Sequence, residues 1–134
     1  MSPSSAPGSC LCGAVRFTAA LPPKWVAHCH CTRCQRAHGS AFVTWAGFDE
    51  ASVQVHDDES QLRRHVATEG GTRGFCGRCG SPMFFQSPLW SGELHIARAL
   101  FTVPLDTAPL FHVHHDTRVD WIRLADDLPV IGDS

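Results

Sequence analysis

The sequence predicts a mainly β protein of one domain with short helical turns, and three observations support this. The chain has 134 residues, which suits one domain and leaves little for a second hydrophobic core. Apolar residues make up 43% of it and charged residues 18%, as is ordinary for a folded protein. Nine prolines and eleven glycines interrupt the chain, so we expect no long helix.

The predicted strands are short apolar or alternating stretches bounded by turn residues, at residues 14–18, 41–45, 61–66 and 93–97. The best candidate for a helical turn runs from Thr32 to His38. Small and polar residues at the two ends predict a loose N-terminal tail over residues 1–9 and a C-terminal tail over residues 130–134. The folded domain is therefore expected at residues 10–129.

Charge and hydropathy narrow the classes of partner. The formal net charge is −2, so a nucleic-acid partner is not expected. The opening residues MSPSSAPGS lack the basic and apolar regions of a secretory signal, and no apolar run is long enough to cross a bilayer. We therefore expect a cytoplasmic protein without a membrane partner. In that compartment seven cysteines, an odd number, are not expected to form disulfides.

The cysteines fall into three groups whose spacing is typical of metal sites. A tetrahedral zinc site needs sulfurs roughly 4 Å apart, and a Cys-x-x-Cys turn supplies two of them with little strain. The simplest partition joins the first Cys-x-Cys pair to the late Cys-x-x-Cys pair. We therefore predict a closed structural zinc site with four ligands: Cys10, Cys12, Cys76 and Cys79.

The remaining cysteines, Cys29, Cys31 and Cys34, lie within six consecutive residues. Three thiolates without a fourth are typical of a catalytic zinc site, which keeps one position for water or substrate. Two alternatives remain open at this point. A histidine among His28, His30 and His38 could complete a second structural site, or the cysteines could hold an iron–sulfur cluster. His112, His114 and His115 form another cluster that could attract a metal, although packing or hydrogen bonding is the commoner role.

Four ordered motifs resemble the glutathione-dependent formaldehyde-activating enzyme family, which also includes centromere protein V. They are residues 8–17 (GSCLCGAVRF), residues 29–40 (CHCTRCQRAHGS), residues 75–81 (FCGRCGS), and a closing motif from His112 to Trp121 followed by residues 127–129 (DLP). The resemblance implies a β-tent fold, two zinc ions per chain and the division of cysteines given above. It also implies a carbon–sulfur lyase or synthase that acts on S-(hydroxymethyl)glutathione.

Glutathione carries carboxylates, so a site for it needs cations, and the candidates near the cysteines are Arg33, Arg36 and Arg78. Trp45 could line the pocket. The nearest candidates for an acid or base are His30 and His38. A second hypothesis from another class is a zinc-stapled β domain that binds a protein or other macromolecule and catalyses nothing.

Overall fold

The computed structural model describes residues 4–132, and within that range it has ten β-strands and one α-helix. Short 3₁₀ turns connect several of the strands. No helix in this part of the chain has the length and apolar character needed to cross a membrane. The prediction of a mainly β fold with short helical turns is confirmed. The elements are β1 (Ser5–Ser9), β2 (Arg16–Ala20), β3 (Trp25–Cys29), α1 (Thr32–His38), β4 (Val43–Asp49), β5 (Val53–His56), β6 (Leu62–Val66), β7 (Thr72–Cys76), β8 (Pro82–Gln86), β9 (Glu93–Ala97) and β10 (Phe111–Val113).

The strands form two sheets. The smaller one has the order β1-β2-β5 and is antiparallel throughout. The larger one has the order β10-β3-β4-β9-β8-β7-β6, and only its β10–β3 pair is parallel. Because β3 and β7 both belong to the larger sheet, the two strands that carry metal-site cysteines are positioned by one sheet.

Two apolar clusters bury the inner faces of these strands. The main cluster contains the largest fully buried side chains, and two cysteines of the predicted quartet, Cys10 and Cys76, belong to it. The second is smaller and contains Cys29 and Cys34 of the triad together with Trp45. Each predicted metal site therefore borders its own part of the core. The largest fully buried side chains are Phe17, Phe48, Met83, Ile96, Val15, Val26 and Cys76.

The structure corrects the prediction of a loose N-terminal tail. Residues 5–9 form β1, which pairs along its whole length with β2, and Ala6 is fully buried. Gly8 lies against the ring of Phe17, where a Cβ would come within 2.0 Å of the ring carbon Cζ. Gly8, one of the small residues that suggest a tail, therefore lies at a position where the Phe17 ring leaves no space for a side chain. Residues 1–3 of the predicted tail lie outside the described residues.

The C-terminal tail predicted for residues 130–134 also begins inside the fold. Val130 forms a β-bridge with His112, and the N–H of Ile131 donates to the His112 carbonyl at 2.8 Å. These contacts extend the edge of the larger sheet beyond β10. Residues 133 and 134 are outside the described range.

Candidate metal centres

The four cysteines of the predicted quartet come together from two distant parts of the chain. Cys10 and Cys12 lie in the loop between β1 and β2, Cys76 ends β7, and Cys79 lies in the turn before β8. Their four Sγ atoms all lie within 4.8 Å of one another. The Cys10–Cys12 and Cys12–Cys76 sulfur distances are 3.7 and 3.8 Å. Zn–S bonds of about 2.3 Å at tetrahedral angles require sulfurs about 3.8 Å apart, so this donor set fits a zinc ion.

Backbone and hydroxyl groups hold the quartet loops in place. The N–H of Val15 donates to Cys10 Sγ at 3.4 Å, and the N–H of Leu11 donates to the Ser81 hydroxyl at 3.0 Å, which ties the two loops together. The Ser81 hydroxyl also lies 3.2 Å from Cys79 Sγ, and this hydrogen bond lowers the pKa of the Cys79 thiol to about 5. A thiol that is already ionised near neutral pH is prepared to bind a metal.

The three cysteines of the triad lie at the end of strand β3 and at the start of helix α1. Cys29 ends β3, Cys31 is the N-cap of α1, and Cys34 lies in the first turn of that helix. The Sγ of Cys31 accepts a hydrogen bond from the backbone N–H of Cys34 at 3.3 Å, so a cysteine does the capping that serine or aspartate usually does. This local geometry brings the three sulfurs within 4.8 Å of one another. Gly39, in the left-handed conformation, ends the helix.

The protonation of the triad shows why it suits a cation. Hydrogen bonds from Cys29 and Cys34 lower the pKa of the Cys31 thiol, while the shared contact with Cys31 raises the pKa of Cys29 well above its usual value. Three adjacent sulfurs therefore cannot all ionise without a compensating positive charge. A divalent metal ion supplies that charge and deprotonates the coordinating thiols.

No fourth protein ligand completes the triad among residues 4–132, because no histidine nitrogen or carboxylate joins the three sulfurs. Of the histidines considered as a fourth ligand, His28 Nδ1 bonds to the Thr44 hydroxyl at 2.8 Å. His30 Nε2 bonds to His112 Nδ1 at 2.9 Å. The structure thus favours an open three-sulfur site over a Cys₃His site.

His30 belongs to a buried histidine network and does not point at the triad. His112 links it to Asp126, with 3.0 Å between His112 Nε2 and the nearer carboxylate oxygen. Burial, and then the neighbouring His112, lower the pKa of His30 to about 4. His115 brings a third ring nitrogen within 4.8 Å of the other two, but the Arg118 guanidinium lies 3.3 Å from His115 Nδ1 and disfavours a cation there. The network therefore acts as a hydrogen-bonded link between the triad loop and the C-terminal segment.

His38 and Trp45 do lie beside the triad. Their rings meet edge to face with centroids 5.2 Å apart, and Trp45 is buried in the cluster that contains Cys29 and Cys34. Burial, and then the charge of Arg73, lower the pKa of His38 to about 4, so its imidazole is neutral at neutral pH. An aromatic side chain and a neutral imidazole are thus available near the three sulfurs.

The three arginines proposed from the sequence lie on α1 and in the quartet turn and differ in their partners. Arg33 is exposed and lies 3.6 Å from Glu69. Arg36 is exposed on α1. Arg78 lies in the quartet turn, where its guanidinium pairs with the Glu59 carboxylate. Among residues 4–132, no hydrogen bond or ion pair joins any of these three arginines to a triad sulfur, and their role in binding glutathione stays a prediction.

The cation that does contact the triad is Arg73, which the sequence analysis missed. Its Nη2 donates to Cys34 Sγ at 3.6 Å, and its guanidinium carbon lies 4.8 Å from the centroid of the Phe85 ring. Its Nη1 is buried without a hydrogen-bond partner among the described residues, and such a donor costs about 1–3 kcal/mol. An arginine inside a strand carries no local signal of this contact.

Comparisons with known proteins give a family match, two relatives and one solved structure of similar fold. The family described as glutathione-dependent formaldehyde-activating enzyme matches residues 5–117. A Halomonas elongata protein provisionally named a glutathione-dependent formaldehyde-activating enzyme is 30% identical over 124 residues, covering 87% of this chain and 79% of that protein. An uncharacterized lyase of Schizosaccharomyces pombe is 26% identical over 78 residues, 58% of this chain and 55% of that one. A crystal structure of a Rhodobacter sphaeroides protein has the same fold, with a TM-score of 0.60, 19% identity and coverage of 92% of this chain and 98% of that one.

The fold and the two sulfur clusters define a small β protein with two sites that can each hold a metal ion. The chain belongs to the glutathione-dependent formaldehyde-activating enzyme family. All seven cysteines are free of disulfides and all seven belong to one of the two clusters. The resemblance noted in the sequence is thereby confirmed.

Proposed function

We propose that the chain is a zinc-dependent carbon–sulfur lyase or synthase that forms or cleaves the adduct of a small thiol, such as glutathione, with formaldehyde. The observation that carries the proposal is the triad: three sulfurs converge within 4.8 Å of one another, and no fourth ligand from residues 4–132 joins them. The chain's membership of the glutathione-dependent formaldehyde-activating enzyme family supports a thiol and an aldehyde as the substrates. The proposal includes two zinc ions per chain and a cytoplasmic location, since seven unpaired cysteines suit a reducing compartment.

The two sites have different roles in this proposal. Cys10, Cys12, Cys76 and Cys79 would hold a structural zinc with no free position. Cys29, Cys31 and Cys34 would hold the second ion, and a zinc ion there supplies a low thiol pKa and a fixed position for the thiolate. The protein's own groups then determine what approaches that position.

In the synthetic direction, the thiolate sulfur attacks the carbonyl carbon of formaldehyde. A C–S bond forms, the C=O π electrons move to oxygen, and the proton lost by the thiol ends on the new hydroxyl. His38 is the group that we propose to carry this proton, because its ring lies against Trp45, which packs in the cluster that contains Cys29 and Cys34. His30 is less suited, because its Nε2 is engaged with His112. Trp45 forms an apolar wall that keeps bulk water from the reacting atoms.

The test uses the full chain loaded with zinc. Metal content and the number of sulfurs per ion are measured by elemental analysis and X-ray absorption. Formation of S-(hydroxymethyl)glutathione from glutathione and formaldehyde is then followed by NMR exchange against the uncatalysed background. We expect two ions per chain, an acceleration by wild type, and loss of that acceleration in Cys31→Ser.

Two outcomes would contradict the proposal. If wild type gives no acceleration and binds no thiol by calorimetry, the chain is not an enzyme of this class. If both ions have four protein ligands and ignore added thiols, the binding-domain hypothesis is favoured instead. His38→Gln tests the proton carrier separately, and an unchanged kcat would remove His38 from the mechanism.

A further inference from the structure

A zinc ion held by three thiolates has a net charge of −1, which poses a problem for the proposed function. A substrate thiolate in the fourth position would raise the charge to −2 in a partly buried site. Accumulating like charge away from water is costly unless a fixed positive charge lies nearby. The triad therefore needs a cation of its own to prefer an anionic sulfur ligand over a neutral one.

We propose that Arg73 is this cation, a specificity-determining residue that makes the triad site select thiolates over neutral ligands. The inference rests on the proposed function. The contact that supports it is direct, because Arg73 Nη2 lies 3.6 Å from the sulfur of Cys34. An N–H···S hydrogen bond draws electron density from that sulfur and so lowers the electrostatic cost of binding a further anionic ligand at the metal.

The sheet holds the guanidinium at this position. Arg73 lies on β7, between β6 and β8, and its cross-strand neighbour on β8 is Phe85. The guanidinium lies over that same Phe85 ring, with its central carbon 4.8 Å from the ring centroid. Stacking on a cross-strand aromatic ring restricts the long side chain, so little reorganisation is needed when a ligand arrives.

The charge of Arg73 is not neutralised elsewhere. In the part of the chain that the structure describes, no carboxylate lies within ion-pair distance of its guanidinium, whereas Arg33 and Arg78 each pair with a glutamate. Its Nη1 also has no acceptor among those residues. An arginine remains ionised at any physiological pH. Its full charge therefore acts on the triad and on whatever binds there.

The experiment measures ligand affinity in place of turnover. The full chain is loaded with Co²⁺, whose visible spectrum reports the ligands at the metal, and is titrated with glutathione, with 2-mercaptoethanol and with imidazole as the neutral probe. Arg73→Gln removes the positive charge, and Arg73→Lys keeps the charge but lacks the planar guanidinium group. Arg64→Gln is the matched control, because it removes an exposed charge from the neighbouring strand β6. Metal content and thermal unfolding are measured for each variant.

A unit positive charge a few ångströms from a bound anion in a partly buried site changes the affinity for that anion by about 10- to 100-fold. We therefore expect Arg73→Gln to weaken both thiols by about tenfold or more while imidazole affinity stays within about twofold. Arg73→Lys should keep most of the thiol preference, and Arg64→Gln should match wild type.

Equal thiol affinities in wild type and Arg73→Gln would overturn the inference about Arg73 and leave the proposed function standing. An equal loss of affinity for the thiols and for imidazole in Arg73→Gln would do the same. If Arg73→Gln does not fold or does not hold two ions, the Arg73→Lys titration decides: loss of the thiol preference there refutes the charge argument. If wild type binds no thiol at all, the proposed function fails and this inference fails with it.

Discussion

Replacing Cys76 with serine separates the proposed structural metal from the proposed catalytic one. The quartet joins segments that are far apart in sequence, since Cys12 and Cys76 are 64 positions apart and their sulfurs lie 3.8 Å from each other. A metal bound there cross-links the unfolded chain in the way that a disulfide does. For a loop of about this length the chain-entropy relation gives about 4 kcal/mol of stabilisation.

The loss should be visible as a shift in the melting temperature. The unfolding entropy of a chain of this size converts about 4 kcal/mol into roughly 10–16 °C. We expect Cys76→Ser to lower the melting temperature of the zinc-loaded protein by about that amount, or to prevent folding. The measurement is thermal unfolding by circular dichroism, with the zinc-to-protein ratio determined on the same samples.

Cys34→Ser is the matched control. Cys34 is buried like Cys76, with 4% and 0% of the residue exposed, so both changes place a hydroxyl in the core. The triad, however, closes only a local loop between Cys29 and Cys34 and connects no distant segments. The decrease in melting temperature caused by Cys34→Ser should therefore be less than about half of that caused by Cys76→Ser. Equal shifts in the two variants, each with one ion lost, would refute the division into structural and catalytic metals.

Three further predictions follow from specific contacts. In Gly47→Ala the new Cβ would come within 2.2 Å of the Trp25 indole, so we expect a loss of about 1–3 kcal/mol in urea unfolding; an unchanged midpoint would mean that the indole moves freely. His112→Ala leaves the buried His30 ring without its hydrogen-bond partner, so the free energy of unfolding should fall by about 1–3 kcal/mol. Amide hydrogen exchange in residues 110–131 should also become faster, and unchanged exchange rates there would argue against the histidine link. A weak chelator should remove one of the two ions, that of the triad, before the protein unfolds, and the metal-to-protein ratio followed against circular dichroism tests this. Simultaneous loss of both ions with unfolding would contradict the last of these.

Features that depend on neighbours in the chain were predictable from the sequence. The helix at Thr32–His38 has the predicted bounds, because its capping residue Cys31 and its terminal Gly39 adjoin it. The cysteine clusters were predictable for the same reason. Cys-x-Cys and Cys-x-x-Cys spacings alone bring sulfurs to metal-binding distance, and four-coordination then leaves few ways to combine the pairs.

Features that depend on contacts between distant segments were not predictable. Arg73 reaches Cys34 across 39 positions, and His30 meets His112 across 82. Ser5–Ser9 has the composition of a tail and becomes a strand only because β2 offers a partner with a large ring at Phe17. In each case strand order and register decide which side chains meet.

The sequence by itself therefore determined the fold class, the division of the cysteines and the family. Only the tertiary structure decided which charges and rings surround the open sulfur triad. The physical reason is that the distances between ligands separated by one or two residues are set by backbone geometry. The cation and the aromatic wall are brought by two other strands, β7 and β4, and their positions beside the triad depend on the strand order and packing of the larger sheet.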